Sequence, residues 1–81
     1  MSSANEAGRV TAQVMVTVDE RHRGQLTAVA GRLEAVGMSV AETFALGGVI
    51  VGEVARADLG KLHAVEGIEA VEEEPTFHAD R

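Results

Sequence analysis

The stretch Val10-Thr11-Ala12-Gln13-Val14-Met15-Val16-Thr17-Val18 alternates without a break. Side chains of an extended chain point to opposite faces in turn, so Val10, Ala12, Val14, Val16 and Val18 share one face. Thr11, Gln13, Met15 and Thr17 share the other. This is the pattern of a half-buried strand, and its β-branched content suits a pleated surface. Such a strand demands a sheet with one covered and one uncovered face. The cover must come from the same 81 residues, which is enough for one domain. A domain of this size buries only about 60% of its unfolded surface. With 13 Ala and 12 Val against two Phe and no Trp or Tyr, the core must be thin and built of small side chains.

The rest of the chain supplies the cover. Residues 1–9 are small and polar and read as a flexible N-terminal tail. Asp19 stands at an N-cap position, with Glu20 in the first turn, where a carboxylate favours the helix dipole. Leu26, Val29, Ala30, Leu33 and Val36 then recur at helical spacing, and Gly37 marks the stop. Gly24 and Gly31 weaken this helix by about 1 kcal/mol each relative to Ala. Met38 to Phe44 reads as a second strand. Glu42 falls on the face of Met38, Val40 and Phe44, so either a bulge re-aims it or the strand ends early. Gly47-Gly48 is a hairpin-turn signal before a third strand, Val49 to Val54. A short helix from Arg56 to Val65 turns Leu59 and Leu62 inward, with Val65 or His63 beside them. Gly67 ends it, and Ile68 to Glu72 is a fourth strand. Pro75 stops further ladder pairing.

The order βαββαβ with right-handed crossovers implies an α+β, ferredoxin-like plait over residues 10–74, a four-stranded antiparallel sheet with both helices on one face. The other face stays open. If Val14 and Val16 face the helices, then Ile50, Gly52 and Val54 face in as well. Met15, Val49, Val51 and Glu53 are left outside. An apolar patch in the centre of an open face marks a contact surface, for a second copy of the chain or for a different protein.

Catalytic and metal chemistry find little support. The absence of Cys excludes disulfide and thiol chemistry. His22, His63 and His78 are far apart and lack the spacing of a metal site. His22 reads as a solvated first-turn residue and His63 as a helix-edge residue. Glu72-Glu73-Glu74 lacks the spaced oxygen ligands of a calcium loop. No nucleophile elbow or phosphate loop is present, and no cofactor motif. Lys61 is the only lysine, hence the only Schiff-base candidate, and its position between Gly60 and Leu62 implies a solvated amine. No apolar run is long enough for a membrane span, and residues 1–9 lack a secretory h-region, which implies a cytoplasmic protein.

Binding remains. The formal net charge is −6, unevenly placed: residues 1–61 carry seven acids and six bases, whereas 62–80 carry six acids and no Lys or Arg. That polarity argues against nucleic acid and anionic membranes as partners. It favours a protein with basic groups or exposed helix N-termini. Residues 75–81 read as an acidic, extended C-terminal tail. An extended segment can lie in another protein's groove with alternate side chains in pockets, and Phe77 is its natural anchor.

From Gly48 to Ala79 the chain resembles the second half of the peptidase inhibitor I9 domain, the propeptide domain of subtilisin-type serine proteases. The resemblance rests on Gly48, on the pair Leu59 and Leu62, on Ile68-Glu69-Ala70-Val71-Glu72-Glu73-Glu74, and on His78-Ala79. It implies a non-enzymatic inhibitor or folding chaperone of a subtilisin-type protease, acting in trans. It also implies that the open face, with Met15, Val49 and Val51, docks on surface helices of the protease. Glu53, Glu72, Glu73 or Glu74 would then cap helix N-termini. The tail would enter the active-site cleft, with Phe77 in an apolar pocket and His78, Ala79 and Asp80 running toward the catalytic serine. The whole chain, including Val16-Thr17-Val18-Asp19 and Gly48-Val49-Ile50-Val51-Gly52-Glu53-Val54, is also similar to short bacterial proteins labelled ketohydroxyglutarate aldolase. Enzymes of that activity are far larger barrels with a buried lysine, so the label reads as a name carried by an I9-like fold. A homodimer joined through the open face is the structural alternative.

Overall fold

A computed structural model of the chain describes residues 11–74. The alternating segment is strand β1 (Thr11–Val18), with Ala12, Val14, Val16 and Val18 buried. Val10 lies outside the described residues. The other strands are β2 (Ser39–Phe44), β3 (Val49–Ala55) and β4 (Ile68–Glu73). They form one sheet in the order β2-β3-β1-β4, with every neighbouring pair antiparallel.

The valine row of β1 is covered by two helical segments. A 3-10 turn (Glu20–Gln25) runs into helix α1 (Leu26–Ala35), and a second 3-10 turn (Arg56–Asp58) runs into a single-turn helix, α2 (Leu59–Leu62). Leu26, Val29 and Leu33 of α1 and Leu62 of α2 pack in one cluster with Val14, Val16, Val18, Met38, Ile50 and Val54. The fold is therefore the α+β ferredoxin-like plait that the βαββαβ pattern implies. The core is as thin as the composition requires, since no buried residue among those described exceeds Leu, Ile or Met in size.

Both helical segments open differently from the expected continuous helices. The Asp19 side chain accepts a hydrogen bond from the His22 amide at 3.0 Å, and the Asp19 carbonyl accepts from the same amide at 3.1 Å. A three-residue hydrogen bond is the signature of a tighter 3-10 turn, so the cap itself sets the first turn and α1 proper starts only at Leu26. Gly37, at φ +106°, ends α1 as the sequence implies. In the second segment Leu62 is buried, Leu59 and Val65 are part-buried, and His63 is exposed.

The conflict at Glu42 is resolved by a bulge. Val40 stands opposite Gly52, yet Glu42 stands opposite Val51, so Ala41 is an extra residue in β2. One inserted residue reverses which face the following side chains take. Val40 still packs on the core, whereas Glu42 and Phe44 turn to the open face. Phe44, which simple alternation places inward with Met38, is 46% exposed.

Gly52 lets β2 come close at this point. A Cβ on Gly52 would sit 2.2 Å from the Ser39 carbonyl oxygen and 3.0 Å from Met38 Cε. Gly31, in contrast, faces open space on α1. Gly52→Ala is expected to lower the unfolding free energy by about 1–3 kcal/mol. Gly31→Ala is expected to raise it by about 0.5–1 kcal/mol. Urea denaturation of both variants checks the contrast.

The cap predicts a pH dependence. The hydrogen bond from the His22 side chain, aided by backbone amides of His22 and Arg21, holds the Asp19 carboxyl below its ordinary value of 3.8. A lowered folded-state pKa contributes stability that is fully present above the ordinary value and lost as pH falls through the folded one. Asp19→Ala should therefore reduce the urea midpoint near pH 7, and its deficit should shrink in the window below about pH 4. Paired denaturation curves at the two pH values measure it.

Candidate interaction site on the open sheet face

The registers of the four strands set out the open face as three rows. Phe44, Val49, Thr17 and Ala70 stand side by side in the first. Glu42, Val51, Met15 and Glu72 form the second. Ser39, Glu53 and Gln13 form the third, and the Glu74 amide, donating to the Gln13 carbonyl at 2.8 Å, completes it. Met15, Val49 and Val51 are half-buried by their neighbours. With Phe44, Ala41, Gln13, Ser39, Glu53 and Glu74 they line a shallow groove of about 660 Å3 across β1, β2 and β3. Leu46, in the turn joining β2 to β3, is fully exposed.

The structure brings together Met15, Val49, Val51, Glu53, Glu72 and Glu74 on this face. It sets Glu73 apart. Glu73 stands opposite Val14, in the parity that faces the helices, and its carboxylate pairs with Arg56. Within a triple-Glu run, alternation sends the middle residue to the opposite side from its neighbours. Phe77, His78, Ala79 and Asp80 lie outside the described residues. Sequence reading missed Phe44 and Ala41 as groove residues. The available signal was the misplaced Glu42, since a bulge that moves Glu42 outward must move Phe44 with it.

The charges are segregated. Glu42, Glu53, Glu72 and Glu74 lie on the open face, and no Lys or Arg among the described residues does. Arg21, Arg23, Arg32, Arg56 and Lys61 all sit in the helical segments. There Arg23 Nε donates to the Val18 carbonyl, Arg32 to the Glu66 carbonyl, and Lys61 pairs with Asp58 at 3.0 Å. The Lys61 side chain is 62% exposed, so its amine is solvated.

His22 departs from the expected solvated role. Its Nδ1 lies 2.7 Å from Asp19 Oδ1 and its Nε2 lies 3.7 Å from Glu66 Oε2, with the ring only 19% exposed. The ring sits over Gly67, where a Cβ would come within 3.0 Å of it. This contact ties the start of the first helical segment to the turn before β4. Among the described residues no group of three or more His, Cys, Asp and Glu is placed to hold a metal ion. No helix among them is long and apolar enough to cross a membrane.

No family model, curated protein or solved structure matches the chain.

Adjacent residues of β3 test the assignment of faces. Ile50 is fully buried beneath the helices, and Val51 lies in the groove. Ile50→Lys is expected to cost more than about 4 kcal/mol and to abolish cooperative unfolding. Val51→Lys is expected to cost about 1 kcal/mol or less. Thermal melts of the two variants provide the measurement.

Proposed function

We propose that the chain is a non-enzymatic protein-binding module of the peptidase inhibitor I9 kind, acting in trans on a subtilisin-type serine protease as inhibitor or folding chaperone. The observation that carries this reading is the apolar groove at the centre of an uncovered sheet face. A domain with so small a core would gain stability by burying Phe44, Val49, Val51 and Met15 itself. Keeping them outside on a regular sheet suits a surface that is buried by a partner. Glu53, Glu72 and Glu74 border the groove, where carboxylates are favoured against the N-termini of a partner's helices.

In this reading the groove supplies affinity and residues 75–81 supply the block. The tail leaves from Glu74, itself a groove residue, so docking of the face delivers the tail to a fixed place on the protease. Phe77 fills an apolar pocket of the cleft, and His78, Ala79 and Asp80 run toward the catalytic serine.

The test is inhibition of a subtilisin-type protease by the chain and by a version ending at Glu74. The full chain should inhibit, and removal of residues 75–81 should weaken inhibition at least about tenfold, roughly the loss of one good anchor. The thermal midpoint should be unchanged. Equal potency of the two versions would sink the tail mechanism, and no inhibition of any such protease would sink the reading.

A further inference from the structure

We infer that Met15 is an oxidation site of the open face, converted by a hydroperoxide to its sulfoxide while Met38 is spared. The site stands on the fold alone, and its effect on a partner rests on the reading of the face as a docking surface. The chain has no Cys, Trp or Tyr, so the thioethers of Met1, Met15 and Met38 are its side chains most open to a two-electron oxidant. Met1 lies outside the described residues. The fold treats the other two in opposite ways. Met38 is 3% exposed and packs in the core cluster, with its Cε 3.0 Å from where a Cβ on Gly52 would stand. Met15 is half-buried and lies in the floor of the groove. Val51 and Glu72 flank it across the strands, and Gln13 and Thr17 flank it along its own. An unbranched thioether stands there although Val or Thr would suit the strand better.

The step balances with the hydroperoxide as the only co-reactant. A sulfur lone pair attacks the terminal peroxide oxygen, the O–O bond breaks and an S–O bond forms. The proton on the attacked oxygen passes to the leaving oxygen, which departs as water or an alcohol. Sulfur loses two electrons and the peroxide gains them. A methionine sulfoxide reductase restores the thioether at the expense of a thiol. A neutral oxidant suits the site, because Glu42, Glu53, Glu72 and Glu74 on this face repel an anionic one. The sulfoxide sets a strong acceptor between Val51 and Glu72, in the middle of the groove. On the free protein that oxygen is hydrated, and the core on the other side of β1 is untouched. Under an apolar partner surface the oxygen loses its water, which is costly.

The test treats the full chain with excess hydrogen peroxide near neutral pH, removes the oxidant with catalase and maps the oxidised methionines by mass spectrometry. Met15 should take up oxygen at least about tenfold faster than Met38, and the two should react alike once urea unfolds the chain. The oxidised protein should still unfold cooperatively, and a hydrophobic-interaction column should retain it less. A methionine sulfoxide reductase should restore its retention. Against a subtilisin-type protease it should be at least about tenfold less potent than before treatment. Met15→Leu, which keeps Met1 and Met38, supplies the background that the losses of retention and potency in the unaltered chain should exceed. Equal rates for Met15 and Met38 in the folded chain would overturn the inference. So would unfolding on oxidation of Met15, or a loss of retention no greater than that of Met15→Leu. Selective oxidation with lowered retention, in a chain that inhibits no protease, keeps this inference and loses the inhibitor reading. Inhibition undiminished by oxidation of Met15 keeps the inhibitor reading and overturns the effect of the sulfoxide on the face.

Discussion

The structure depends on the burial of one row of valines. Val14, Val16 and Val18 of β1 are each no more than 1% exposed, against Val29 and Leu33 of α1, Ile50 of β3 and Leu62 of α2. Removing a side chain of this size from water is worth about 1.5–3 kcal/mol, so a few such residues hold a domain this small. β1 is hydrogen-bonded on both sides, to β3 and to β4, so its parity governs both neighbours. Once the valines face the helices, Val51 and Glu72 must share the outer face with Met15. The content of the open face is thus a by-product of the burial of the closed one.

The register shifts twice, at Glu69 in β4 and at Ala41 in β2, and the bulge at Ala41 enlarges the patch. Without it, Glu42 would point at the helices and Phe44 would compete for space in the core. With it, Glu42 reaches solvent and Phe44 stands beside Val49. The irregularity also lies on an outer strand, where a bulge discourages pairing with another sheet. One inserted residue therefore keeps a charge out of the core, moves an aromatic to the surface and blunts an edge.

The element order, the face of each residue on β1 and β3, the Asp19 cap and the stop at Gly37 were legible because each follows from a short-range rule. Alternation, capping and positive-φ glycine act within a few residues. What was not legible depends on the partner strand. The position of the bulge was signalled by Glu42, but its effect on Phe44 required knowing that the strand continued beyond it. The helix-facing side of Glu73 was hidden because a run of three glutamates carries no contrast until its register is known, and pairing with Val14 sets that register. The enclosure of His22 came from residues 44 and 45 positions away, Glu66 and Gly67, which no local pattern reports.

The distribution of carboxylates completes the picture. Glutamate is a poor strand former, and a sheet face with four of them invites repulsion. The rows avoid it. In the second row Val51 and Met15 separate Glu42 from Glu72, and in the third Gln13 separates Glu53 from Glu74, so no two carboxylates stand directly opposite. Glu73, the acid that parity turns away from this face, is the one that finds an arginine. Among the described residues the chain thus keeps a face of a single sign without placing like charges in contact, and its Lys and Arg side chains belong to the helical segments. That arrangement adds nothing to the fold, whose core lies beneath the valine row, and it leaves the groove bordered by charge of one sign.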